Sequence, residues 1–303
     1  MNNLKLSHPF AVWFTTLLLA AVAFISGVSA VSFLRSHSID QDLAAVGSVE
    51  AYPKAFLLDS TTLVAKSAVV YDPANGTILF EKDADASLPL ASLTKLMTAT
   101  VVLEQETPET LVTIVASDLA PEGDWGFQLG DTVSLSNLLK IGLIASSNDA
   151  MQAAARSAGD YTTLMNREAR DKGYTSMRFF NPTGLDESAT TAGAYGSAYD
   201  IAHLAYAFFK LHPEYFDLTT NSQTVSIEVG GRTLSAQATS IPLQTLPGVI
   251  AAKTGYTDLA GGNLVVVFDI GVGHPLVAVV LDSTEEGRFS DMQTLINAAR
   301  ETN

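Results

Sequence analysis

The stretch VIAAKTGYTDLAGGNLVVVF, Val249–Phe268, decides how the chain is read. It has the form of two β-strands around a glycine-containing turn. The first run ends in Lys253-Thr254-Gly255, a charge, a hydroxyl and a missing side chain set among Val, Ile and Ala. One reading is an edge strand protected by its lysine against unwanted pairing. The other is a strand whose edge lines a reaction site. These three residues do not decide between them, so the surrounding chain must.

Working outward, SAVVYDPANGTILFEKDAD holds two further strands, Ser67–Tyr71 and Thr77–Glu81, joined through Pro73 and Asn75-Gly76. Asn-Gly between apolar runs is a hairpin signal. On the far side of the opening stretch come a strand over Leu276–Leu281 and a helix from about Ser290. A Gly-Gly hairpin in TVSIEVGGRTLS precedes it. The intervening region, about 119–218, is mainly helical: VSLSNLLKIGLIASSNDAMQAAARSAG gives two helices broken at Ser146–Asn148, and two more follow. Strands at both ends with helices between predict an α/β chain of the α+β kind. Its sheet is mainly antiparallel, flanked by helices and built from distant segments, with an inserted helical subdomain.

The N-terminus differs from the rest. Phe10–Leu34 runs for 25 residues without a charge, and as a helix it would reach roughly 37 Å, enough to cross a hydrocarbon core. Lys5 before it favours a cytoplasmic N-terminus. The run is long for a cleaved signal, although Val28-Ser29-Ala30 is an acceptable cleavage site. Residues 1–35 are therefore expected to be a membrane anchor or signal segment, 36–61 a linker, and 62–303 one exported domain at the cell membrane. No cysteine is present, which excludes disulfides, thiol catalysis and cysteine–metal sites. Beyond Arg35 the chain carries 15 basic and 32 acidic residues, a balance that repels nucleic acid.

Three short signals occur in order. Ser92-x-x-Lys95 stands at a helix start in LASLTKLMTATVVLEQE, Ser146-x-Asn148 between two helices, and Lys253-Thr254-Gly255 on a strand. Each is weak alone; the order and the local structure carry the information. One helical turn puts Lys95 on the face of Ser92. A serine hydroxyl needs a nearby base, and a lysine serves only if burial or a second cation lowers its pKa. Lys253 could be that cation, and the two amines would then titrate together.

On SLTKLMTA, SSNDA, NPTGLD and KTGYTDLAGGNL, the chain resembles the serine D-alanyl-D-alanine carboxypeptidases among the low-molecular-mass penicillin-binding proteins, from about Ser67 to Arg300. The resemblance implies a β-lactamase/transpeptidase-like fold, peptidoglycan stem peptides as substrates and β-lactams as inhibitors, with no cofactor and no metal. It implies Ser92 as nucleophile, Lys95 as base, Ser146 as proton relay and Asn148 as holder of the substrate amide. Lys253 and Thr254 would recognise a terminal carboxylate, and the backbone N–H groups of Ser92 and Tyr256 would form the oxyanion hole. Gly255 would leave room for an extended peptide. Many relatives have histidine at Tyr256, a departure that a backbone donor tolerates.

Arg288 admits two readings, a fork for the substrate carboxylate or a solvated arginine where a helix begins. Some relatives carry asparagine or arginine shortly before Lys-Thr-Gly, where this chain reads LSAQATSIPLQ. His203 and His212 lie by an apolar helix without metal-ligand spacing. Asp149 is expected to cap the helix after the break, and Trp125 to anchor a loop. Rival functions are a DD-endopeptidase, a non-catalytic penicillin sensor and a β-lactamase. The Glu-x-x-Leu-Asn of the commonest serine β-lactamases does not occur here.

Overall fold

The computed structural model describes residues 53–302 except 124 and 272. The expected span Phe10–Leu34 and the first part of the linker lie outside the described residues. Among the described residues, no helix is long and apolar enough to cross a membrane.

The two end groups of strands join into one sheet. β1 (Ser67–Asp72) and β2 (Thr77–Lys82) form the expected hairpin. The inserted Gly-Gly hairpin is β3 (Thr224–Val229) with β4 (Arg232–Gln237), turning through Gly230 and Gly231 at φ +56° and +77°. The opening stretch is a hairpin of β5 (Val249–Thr257) and β6 (Gly261–Asp269), followed by β7 (Pro275–Ser283). The central sheet runs β5-β6-β7-β1-β2 with every pairing antiparallel, Ser67 opposite Leu281 and Lys253 opposite Val265. β5 does not end with Lys253-Thr254-Gly255. It continues to Thr257, so Lys-Thr-Gly lies in mid-strand on the sheet's edge.

Near-continuous Val and Leu in β6 and β7 follows from burial on both faces. Val265, Val267, Val277, Val279 and Leu281 point into a core shared with the helices of the insertion. Leu264, Val266, Leu276, Ala278 and Val280 point the other way, onto Met292, Leu295, Ile296 and Ala299 of the C-terminal helix Gly287–Thr302. Phe56 stacks on Phe80 with centroids 5.6 Å apart and its amide donates to the Leu79 carbonyl, so the packed domain takes in residues before 62.

The helices are α1 (Thr94–Gln105), α2 (Leu135–Ile144), α3 (Asn148–Ser157), α4 (Tyr161–Asp171), α5 (Ala198–Leu211), the short α6 (Pro213–Phe216) and α7 (Leu218–Asn221), and α8, the C-terminal helix. Ser147, not Asp149, caps α3: its hydroxyl receives the Ala150 amide at 3.1 Å. Asp149 stands within the first turn, where its carboxylate receives the Trp125 amide at 3.4 Å. Ser147 precedes the helix with non-helical backbone, φ −58° and ψ 126°, and reaches N3 directly. Trp125 packs against the larger core, as a loop anchor would.

Candidate active site

Ser92 sits in a single 3₁₀ turn, Ala91–Leu93, that leads directly into α1. Two glycines explain how tightly this turn is held. A Cβ on Gly184 would lie 1.8 Å from the Ala91 carbonyl oxygen, and one on Gly255 would lie 3.1 Å from both the Ser92 nitrogen and the Leu90 oxygen. Gly255 thus also sits where β5 approaches the serine turn closely, and a side chain there would crowd that turn. Ala91 itself has φ +46°, and Ser146, between α2 and α3, has φ +60°. Left-handed backbone at non-glycine residues costs free energy and persists where the surroundings enforce it.

The helix periodicity delivers Lys95 to Ser92 with Nζ 2.6 Å from Oγ. The same amine lies 2.8 Å from Asn148 Oδ1 and 3.1 Å from the Thr183 carbonyl oxygen. Lys95 is fully buried, and burial, followed by the charge of Lys253, holds its pKa well below the lysine range. Opposite, Lys253 donates from β5 to Ser146 Oγ at 2.9 Å and to the Thr254 carbonyl at 2.8 Å. Burial, then the nearby Arg288 guanidinium, lowers its pKa to about 7. Both shifts follow from placing an ammonium in low dielectric near a like charge.

The structure therefore brings together Ser92, Lys95, Ser146, Asn148, Lys253 and Thr254, as the three signals required. Asn148 is engaged at both ends, its Nδ2 donating to the Glu122 carbonyl at 2.6 Å. Tyr256 follows on the strand with its side chain 46% exposed. Arg288 fits neither expectation fully. It is 8% exposed, hence not solvated, and Nη1 donates to the Gly255 carbonyl at 2.8 Å from the first turn of α8. Phe289 lies 4.9 Å from its guanidinium carbon, and burial lowers its pKa. His203 is structural: Nδ1 lies 2.9 Å from the Tyr199 carbonyl oxygen and the ring packs on Tyr71 and Tyr199. Among the described residues, no group of three or more metal-ligating side chains converges.

Other contributors went unassigned in the sequence. Asn181 Oδ1 accepts the Thr183 and Gly184 amides, shaping the loop whose Thr183 carbonyl meets Lys95. Asp186 ties that loop to β5 by accepting the Thr257 hydroxyl at 3.0 Å. Asn263 on β6 donates to the Pro89 carbonyl just before the serine turn, at 2.9 Å. NPTGLD and KTGYTDLAGGNL contained these residues without revealing their roles. Thr239, 2.7 Å from the Thr254 hydroxyl, lies in LSAQATSIPLQ, whose place before Lys-Thr-Gly drew attention to the segment without singling out this residue.

Comparison with known proteins agrees with this geometry. The family described as D-alanyl-D-alanine carboxypeptidase, Peptidase S11, matches residues 54–285. D-alanyl-D-alanine carboxypeptidase DacF of Bacillus subtilis is 28% identical over 78% of this chain, which spans only 62% of that relative's length. A D-alanyl-D-alanine endopeptidase of Pseudomonas aeruginosa is 30% identical over 80% of this chain and 78% of its own. The ampicillin-bound structure of penicillin-binding protein D2 from Listeria monocytogenes superposes with TM-score 0.69 at 29% identity, covering 80% of this chain and 99% of that one. A carboxypeptidase structure from Mycobacterium tuberculosis, at 24% identity and TM-score 0.73, covers 84% and 96% and shares the fold. With a match that takes in every signal from Ser92 to Lys253, the chain belongs to the D-alanyl-D-alanine carboxypeptidase family of serine peptidases.

Proposed function

We propose that the chain is a penicillin-binding serine carboxypeptidase that removes the terminal D-alanine from peptidoglycan stem peptides. The observation that carries this reading is the Lys95 amine, buried, beside a second cation and 2.6 Å from Ser92 Oγ. A neutral amine has two N–H donors and one lone pair. Asn148 Oδ1 and the Thr183 carbonyl take the donors, which leaves the lone pair for the Ser92 proton.

Ser92 Oγ attacks the penultimate D-alanine carbonyl as its proton passes to Lys95 Nζ. The resulting oxyanion is held by the Ser92 and Tyr256 amides, brought to one spot by the contact between β5 and the serine turn. The carbon–nitrogen bond then breaks as Ser146, which stands against Lys253, hands its proton to the leaving amine and takes up the one Lys95 received from Ser92, so that Lys95 is neutral again. D-alanine departs, and water, deprotonated in turn by Lys95, hydrolyses the ester. Asn148 steadies Lys95 and the substrate amide. Lys253 and Thr254 face the terminal carboxylate, with Arg288 behind the strand holding Gly255 in line.

The domain acts on the extracytoplasmic side, tethered to the cell membrane through Phe10–Leu34. That placement follows from the substrate and the uncharged run. Cutting of cross-links is a second reading, supported by relatives named endopeptidases. Fluorescent penicillin should label the purified domain and fail to label Ser92→Ala; D-alanine release from a pentapeptide then identifies the peptidase. Labelling that survives the substitution would remove Ser92 from the mechanism.

A further inference from the structure

The outer rim of β5 is not equally open along its length. Thr219 of α7 receives the Ala252 amide on its hydroxyl at 3.0 Å, and the Thr220 hydroxyl donates to the Ile250 carbonyl. These side chains occupy the rim much as a neighbouring strand would. Thr239 comes next along it. Its amide donates to the Ile144 carbonyl at 3.0 Å, two residues before Ser146, while its hydroxyl receives that of Thr254 at 2.7 Å. One half-buried residue therefore joins the wall carrying Ser146 to the wall carrying Thr254.

The charges give the direction of a bound peptide. Ser92 meets β5 at Gly255, whereas the cationic Lys253 lies on the Thr254 side, so a terminal carboxylate points toward Thr254 and the peptide runs antiparallel to β5. Followed that way, the groove meets Thr239 directly after the leaving residue. A hydroxyl has one proton and can accept as well. Thr254 here donates to Thr239. If Thr239 instead donates to Thr254, the Thr254 proton becomes available to the carboxylate.

We infer that Thr239 is the end wall of the substrate groove and a positioning residue for Thr254, so that peptides whose main chain continues past the leaving residue are refused. This rests on the carboxypeptidase reading above. The test compares an N-acylated peptide ending in D-Ala-D-Ala with the same peptide extended by glycine, on wild type and on Thr239→Ser, Thr239→Val and Thr239→Gly. Thr239→Ser keeps wild-type kinetics. Thr239→Val raises KM for the free-terminus peptide about 3- to 10-fold, the effect of one lost hydrogen bond, with kcat little changed. Thr239→Gly opens the end wall and narrows the preference for the free terminus by about 10-fold. Fluorescent-penicillin labelling in each variant reports a folded site with a working nucleophile. An unchanged KM in Thr239→Val, or an unchanged preference in a labelled Thr239→Gly, overturns the inference while wild-type D-alanine release leaves the function standing. A wild type that labels but releases no D-alanine overturns both.

Discussion

The two walls of the cleft each bury a lysine and use it differently. On the helix wall, Lys95 is surrounded by three oxygens, one belonging to the nucleophile. On the strand wall, Lys253 touches one hydroxyl and one carbonyl and has Arg288 behind it. The first amine, its pKa held well below the lysine range by burial and then by the charge of Lys253, has given up its proton and can receive one from serine. The second keeps a cation available to an incoming carboxylate, since a bound anion raises a lysine pKa that burial has lowered. Equal burial thus supports opposite charge states because one amine faces a second cation and the other an incoming carboxylate.

The sharpest way to break this contrast is Lys95→Met. Removing the base should reduce acylation of Ser92 by on the order of 10⁴-fold or more, measured as the rate of penicillin labelling. Lys253→Met should cost about 10²- to 10³-fold in kcat/KM for D-alanine release. Equal losses in the two variants would mean that the walls do not divide the work. Gly255→Ala should lower kcat/KM about tenfold, because its Cβ would press on two backbone atoms of the serine turn.

The pH profile tests the assignment more finely. Below the depressed pKa of Lys95 the amine is protonated and cannot accept the serine proton, so kcat/KM falls on the acid side. Above about 7, Lys253 in the free enzyme loses its charge and kcat/KM falls again. Arg288→Gln removes the charge that helps lower Lys253, so the basic limb should move to higher pH, with less than about a tenfold change at the optimum. A basic limb that stays fixed would separate Arg288 from Lys253. The smallest effect is on stability. Both lysines bind fewer protons folded than unfolded between their depressed values and 10.5, so stability rises with pH across that window. At neutral pH, Lys95→Met should therefore gain about 1–4 kcal/mol in thermal or denaturant unfolding, even as activity disappears.

Periodicity revealed the hairpins and the helix break, because each depends on residues close in sequence. The helical turn that joins Ser92 to Lys95 was legible for the same reason. Contacts across the fold were not. Gly255 opposite the Ser92 amide, Arg288 behind Gly255, and Thr239 beside Thr254 join residues whose partners no local pattern specifies. The start of α3 shows the limit of local reading too: Ser147 and Asp149 are both good capping residues, and backbone geometry chose the serine.

Strand order has a consequence for biosynthesis. β1 pairs with β7, and Ser92 is made some 160 residues before Lys253. A nascent chain carries its future nucleophile long before the strand that completes the cleft exists, and the sheet cannot close until β7, Pro275–Ser283, has been made. Translation products that stop short of β5 therefore keep Ser92 without the strand that completes its cleft.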